Sequence, residues 1–219
     1  MAPNPNSAMT LSIRRAAPSD APALSHVCLL TADAGSSAQH LHSIPQLPGL
    51  IYAEPYVKLP KTTFAFVLVD EFRVVGYIVG SEDSRAFERE AEKHWYPSLR
   101  EKYPLPGEGS DADEASQLTE NDLRYLKLIQ KMYVLPEPCI SFSPAHLHIN
   151  ILPEYQRRGW GRRLIAQAVD YLRGEGLDGV WLGMDPRNLS AQGFYEKLGF
   201  RPIEGAPAGN MGLRFEDWV

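Results

Sequence analysis

Cysteine is scarce: Cys28 and Cys139 are the only two in 219 residues. Two thiols cannot build a disulfide framework or a thiolate metal quartet. Reduced thiols in a protein of the cytoplasm or nucleus are the simple expectation, with no metal. No apolar run approaches the ~18 residues of a membrane span. The opening MAPNPNSAMT has neither a basic nor an apolar stretch, so residues 1–10 read as a flexible lead and not as a signal peptide. Internal repeats are absent. Positive charge is also short, with 22 Lys and Arg against 27 Asp and Glu, a net charge of −5. That balance argues against a nucleic-acid binder.

What is present is enough apolar material for a core, at 44%. It fits one α/β domain over 11–219. In this acidic chain one stretch is locally basic: INILPEYQRRGWG, residues 149–161. Ile149 and Ile151 look like the end of a buried strand. Apolar residues then recur at Leu164, Ile165, Ala168, Val169 and Leu172, which is helical spacing. A strand therefore runs through a glycine turn into a helix. The unpaired amides of the first helical turn and the positive end of the helix dipole form an anion site. Gly159 lets a phosphate approach the backbone, since no Cβ intervenes. Arg157, Arg158, Arg162 and Arg163 favour phosphate over carboxylate. A P-loop would need Gly-Lys-Ser/Thr where Gly161-Arg162-Arg163 stands. A dinucleotide fingerprint would need a third glycine where Leu164 stands. An ordinary β-to-α turn is the plain alternative.

A second unit follows. Gly179–Met184 reads as a strand, 185–188 as a turn, and Ser190 as a helix N-cap. Ala191, Phe194, Tyr195 and Leu198 form one helical face, closed by Gly199. Gln156-x-x-Gly159-x-Gly161, followed by Asn188, Ala191 and Phe194-Tyr195-Glu196-Lys197-Leu198-Gly199-Phe200, resembles the GCN5-related N-acetyltransferases (GNAT). That resemblance implies a mixed, twisted sheet of about six or seven strands flanked by helices, with acetyl-CoA in a wedge where the strands at 146–152 and 179–185 splay. It implies cofactor contacts from Asn150, Ile151, Leu152, Gln156, Arg157, Arg158, Gly159, Trp160, Gly161, Arg162, Asn188 and Tyr195. A backbone amide at 150–152 would serve the developing oxyanion. Tyr195 would protonate the departing thiolate or orient the cofactor; its plain alternative is a packed core aromatic.

His146 and His148 alternate on the strand before the loop and share a face. Either could accept the amine proton, with Asp185 next in line; hydrogen-bonded sheet histidines are the alternative. Glu82, Asp83, His40 and His42 read as solvated loop residues.

In the remaining chain, Leu11–Arg14 is a strand and 18–20 opens a first helix. Residues 35–59 are a short helix plus loops, and 63–69 and 74–80 form a hairpin. The long segment at about 84–138 is expected to insert over the acceptor cleft. It includes a mobile acidic stretch at 106–116 and a helix after Thr119 with Leu123, Leu126, Ile129, Gln130 and Tyr133 on its apolar face. Gly76-Tyr77, Asp83, Phe87, Trp95, Pro97, Glu101-Lys102-Tyr103 and Leu135-Pro136-Glu137 resemble the acetyltransferase-like C-terminal domain of O-GlcNAcase and its stand-alone microbial relatives. No glycoside-hydrolase domain is expected.

The implied activity is acetyl transfer from acetyl-CoA to an amine, small or protein-borne, in a ternary complex. The alternative is a non-catalytic acyl-CoA-binding or interaction module. No nucleic acid or membrane partner is expected, and a monomer or homodimer fits equally.

Overall fold

The computed structural model describes residues 11–59, 61–107 and 117–219. The flexible lead at 1–10 and nearly all of the acidic stretch at 106–116 lie outside the described residues. Among the described residues seven strands are seen: β1 (Leu11–Arg15), β2 (Thr63–Asp70), β3 (Arg73–Ser81), β4 (His146–Ile151), β5 (Gly179–Gly183), β6 (Arg201–Pro202) and β7 (Asn210–Arg214). They form one mixed sheet in the order β1-β2-β3-β4-β5-β7-β6, and only the β4–β5 pair is parallel.

β2 and β3 are apolar along almost their whole length because both faces of the sheet are covered there. One face packs on α8 (Trp160–Gly174), whose Leu164, Ile165, Ala168, Val169 and Leu172 are all buried. Tyr171 of this helix touches Phe64 and Phe66 of β2. The other face is covered by α1 (Ala21–Leu29), α2 (Leu47–Tyr52) and α3 (Pro55–Lys58). Residues directly paired across strands share a face. The pairs Val67↔Tyr77 and Tyr77↔Asn150, with Val79↔His148 two residues on, therefore form a row beneath α1–α3.

Between β3 and β4 come α4 (Ser84–His94), α5 (Tyr96–Lys102), α6 (Glu120–Gln130) and α7 (Glu137–Phe142). Two local expectations are corrected. The segment 35–59 holds two short helices and a 3-10 turn, not one helix. On α6 the buried positions are Asp122, Tyr125, Leu126 and Ile129, whereas Tyr133 lies beyond the helix end and is 56% exposed. After α6 the chain turns helical again at Glu137, where α7 begins.

Candidate active site

β4 and β5 share a single register pair, His146↔Trp181, beside the bond from the Trp181 amide to the Ala145 carbonyl at 3.1 Å. Beyond it the two strands part. Leu152 N–H donates to Val75 on the β3 side at 2.9 Å. Alternation along an extended strand then turns the amides of Ile149 and Ile151 toward the gap. The Ile151 carbonyl, on that same side, accepts from Gln156 Nε2 at 2.8 Å, which ties the following loop to the strand end.

The loop ends at Gly159, the N-cap of α8 (Leu189–Lys197 is α9). Gly159 has φ +83°, and a Cβ added there would meet nothing within 4 Å. The empty space beside it and the unpaired first-turn amides leave room for an anion. Arg157, also left-handed at φ +57°, sits at the exposed apex. Gly161 has a different job: a Cβ there would come within 2.9 Å of the Phe194 ring, so its absence lets α8 and α9 close. The arginines are not equivalent. Arg158 lies over Tyr155 and Arg163 over Trp160, while Arg162 turns to Trp218 and bonds the Val219 carbonyl.

Asn188, not Ser190, caps α9: its Oδ1 accepts from the Ala191 amide at 3.0 Å. Tyr195 packs against Phe194 and Phe200, its ring buried and its phenol pKa raised by that burial. Among the described residues no protein group bonds its hydroxyl.

The two histidines share a face but not an environment. Ser84 Oγ gives its only proton to the Pro144 carbonyl at 2.6 Å, so at 2.7 Å it accepts from His146 Nδ1–H. Tyr56 O–H then donates to His146 Nε2 at 2.8 Å. Both ring nitrogens are occupied, and burial, then the neighbouring His148, lowers the pKa to about 3. The lone pair that a base would use is taken. His146 joins α3, α4 and β4 instead. Replacing it with phenylalanine, which orphans the Tyr56 hydroxyl and removes the donor to Ser84 Oγ, should cost roughly 1–3 kcal/mol of stability by chemical denaturation. A variant as stable as the parent would refute that role.

His148 is half-buried. It stacks on Tyr52 at 5.7 Å and 29°, and its Nε2 accepts only a long bond, 3.3 Å, from Asn150 Nδ2, which also donates to Tyr77 Oη at 2.9 Å; its lone pair is held more loosely than that of His146. Burial lowers its pKa to about 4. Asp185 is less available, because Arg187 bonds both its oxygens and holds its carboxyl below the usual range, and the same guanidinium reaches Asp33 at 2.9 Å.

One residue was read wrongly from sequence, His42, which is no solvated loop residue. The His42 side chain is 2% exposed, and its Nδ1 donates to Asp122 Oδ1 at 2.9 Å. Ser43 N–H and Oγ–H reach Asp122 Oδ2 at 3.0 and 2.6 Å, and the Thr119 amide bonds the same oxygen. Burial alone would raise the Asp122 pKa. The bonds from Ser43, His42 and Thr119 outweigh it, and the carboxyl lies below the ordinary range. The carboxylate thus fastens the 35–46 loop to α6. Asp122→Ala should cost about 3 kcal/mol or more, as expected when one partner of a buried pair is removed. The sign follows from linkage: the stabilisation is full above the unfolded carboxyl pKa of ~4 and is lost as pH falls through the lower folded value. Equal Tm values for the two proteins at pH 7 would count against it. Asp83 and Glu82 are engaged as well, Asp83 capping α4 through the Ala86 amide at 2.9 Å and Glu82 accepting from Tyr171.

Among the described residues no helix is long and apolar enough to cross a membrane, and no cluster of His, Cys, Asp and Glu could hold a metal.

A parallel strand pair that splays beside a glycine-capped helix defines a class of α/β fold with an anion-accepting wedge. The acetyltransferase (GNAT) family profile matches residues 133–200. The solved structure of SsHAT superposes with a TM-score of 0.77 at 32% identity, covering 94% of this chain and 98% of that one. The chain belongs to the GNAT acetyltransferase family, and within it is O-GlcNAcase-like. Protein O-GlcNAcase of Rattus norvegicus is 26% identical over 147 residues, 66% of this chain. This chain therefore aligns with only 15% of the length of that relative. The [ribosomal protein bS18]-alanine N-acetyltransferase of Escherichia coli (strain K12) is 40% identical over 53 residues, 24% of this chain and 36% of that enzyme. The PaiA N-acetyltransferase of Thermoplasma acidophilum, solved with coenzyme A, shares the fold at a TM-score of 0.53 and 14% identity, over 94% of this chain and 99% of that one.

Proposed function

We propose that the protein is an N-acetyltransferase that moves the acetyl group of acetyl-CoA to an amine in a ternary complex. The observation that carries this reading is the wedge itself: inward amides at Ile149 and Ile151 open beside the empty space at Gly159. The first-turn amides of α8, with Arg157 near them, would take the pyrophosphate. Holding both reactants in one wedge supplies proximity. The Ile151 amide lies where the carbonyl oxygen gains charge. As the new N–C bond forms and the C–S bond breaks, His148 takes the amine proton and Tyr195 gives one to the sulfur. Tyr77 and Asn150 hold His148 in place.

Calorimetry with CoA and thiol release against an amine panel test this together. Micromolar CoA binding with thiol release that depends on an added amine is expected. CoA binding without release from any amine would make the chain a non-catalytic acyl-CoA module. Tyr195→Phe keeps the packed ring and removes one proton. Thiols ionise near pH 8.5, so the departing sulfur needs modest help, and kcat should fall on the order of 10²-fold, the low end for a general acid. A phenylalanine variant with full kcat would leave Tyr195 a packing residue.

A further inference from the structure

One turn joins the two sides of the wedge. α1 packs on β3 and β4, on the face that carries His148. The chain leaves α1, forms a tip at residues 33–36 and returns to α1, where the Ala38 amide donates to the Leu29 carbonyl at 2.9 Å. At the tip Asp33 and Ser36 exchange both backbone bonds, at 3.0 and 2.8 Å, across a two-residue turn. Ala34 (φ +48°) and Gly35 (φ +91°) are both left-handed. Alanine takes that conformation only at a cost, so the contacts of the tip must sustain it.

Those contacts are with the turn after β5. A Cβ on Gly35 would stand 2.9 Å from Asn188 Nδ2, so the tip lies against Asn188. Arg187 Nη2 reaches Asp33 Oδ1 at 2.9 Å and Asp185 Oδ2 at 2.7 Å. β4 and β5 run parallel, and residues 185–188 follow the C-terminal end of β5, where the strands have parted. The turn therefore runs from the β4 side of the gap to the β5 side, a bar across the mouth of the wedge on the His148 face. His148 is half-buried and the Tyr52 ring stacked on it is 37% exposed, so the imidazole stays reachable on the Tyr52 side of the bar.

A free small amine needs only a slender path to the imidazole. A lysine on a folded protein brings its backbone and its neighbours to the mouth, which the bar occupies. Resting on the acetyltransferase reading above, we infer that Asp33 and Arg187 are specificity-determining residues. They fasten a bar that admits small free amines and turns away lysines on folded proteins. Their ion pair is exposed, Arg187 by 69% and Asp33 by 27%. It is therefore weak and salt-sensitive, and it can be cut without unfolding the protein.

Cys28 and Cys139 are both buried, so an introduced thiol can report access. His148→Cys puts the reporter behind the bar, and Asn150→Cys is a second reporter on the same face. Phe72→Cys, at a residue 98% exposed, puts one in open solvent. Each full-length variant is labelled with N-ethylmaleimide and with a maleimide carried on ubiquitin. The small reagent should react at all three positions. The ubiquitin reagent should lag far more at positions 148 and 150 than at 72. Asp33→Ala should shorten that extra lag about two- to fivefold, the range of an exposed pair worth up to ~1 kcal/mol. Sodium chloride at about 1 M should do the same with Asp33 in place and add little once it is gone. An equal lag at all positions, no reaction of the small reagent behind the bar, or a lag unmoved by Asp33→Ala and by salt would overturn the inference. Labelling needs no turnover. With acetyl-CoA and the unmodified protein, small amines should release thiol and ubiquitin should not; acetylated ubiquitin would also overturn the bar. Release with neither would sink the acetyltransferase reading, and labelling would still decide the bar.

Discussion

Gly159→Glu should leave the protein folded and abolish CoA binding. The backbone cost is bounded: a non-glycine residue at φ +83° costs about 1–2 kcal/mol. The packing cost is nil, because an added Cβ touches nothing within 4 Å. Folding should survive that sum, given the ~5–15 kcal/mol by which domains are stable. Binding should not. A carboxylate about 4 Å from a phosphate oxygen repels it by ~4 kcal/mol at an effective dielectric constant of 20, about a thousandfold in Kd. Gly159→Ala separates the effects, since it keeps the strain and adds no charge, and should lose only about tenfold. Circular dichroism checks the fold and calorimetry the affinity. An unchanged Kd for CoA in the glutamate variant would mean that the phosphates lie elsewhere.

That space was legible in the sequence because its causes are local. Gln156, Gly159 and the apolar spacing from Leu164 to Leu172 lie within one strand-turn-helix unit. The splay of β4 from β5 was likewise anticipated, as was a mixed sheet of about six or seven strands, of which seven are seen among the described residues. What escaped reading depends on residues far apart. His42 and Asp122 are 80 positions apart. Each alone looks like a polar loop or cap residue, and Asp122 does serve the helix cap with Thr119. Tyr125 was passed over for Tyr133 because the apolar spacing was carried past the end of the helix, whose last residue is Gln130. Asn188 displaced Ser190 as the α9 cap, a two-residue shift that spacing alone could not settle. His146 and His148 were rightly placed on one face. Their difference comes from hydroxyls on α3 and α4 that bracket only the first, and no period along β4 could reveal them.

That difference decides the last expected result. His148→Gln should lower kcat/KM by ~10²–10⁴-fold at neutral pH, the range of a general base, whereas His146→Gln should act mainly through stability. The low pKa of His148 constrains when the proton moves. Taking it from an ammonium of pKa about 10 onto an imidazole at about 4 is uphill by about 8 kcal/mol, at 1.36 per unit. Early deprotonation by His148 is thus a poor route. The amine must enter neutral, and the imidazole must act as the N–C bond forms, when the acidity of the nitrogen rises steeply. The neutral imidazole is the active form, so its advantage is full at neutral pH and fades as pH falls through about 4. The neutral fraction of the amine adds a rise toward higher pH that both proteins share. The ratio of parent to His148→Gln should therefore be large and flat above about pH 5 and shrink below about 4, measured on protein that circular dichroism shows to be folded. A ratio near one at every pH would assign the proton to solvent or to Asp185. A ratio that stays large at the acid end would make His148 a binding residue for the acceptor and not its base.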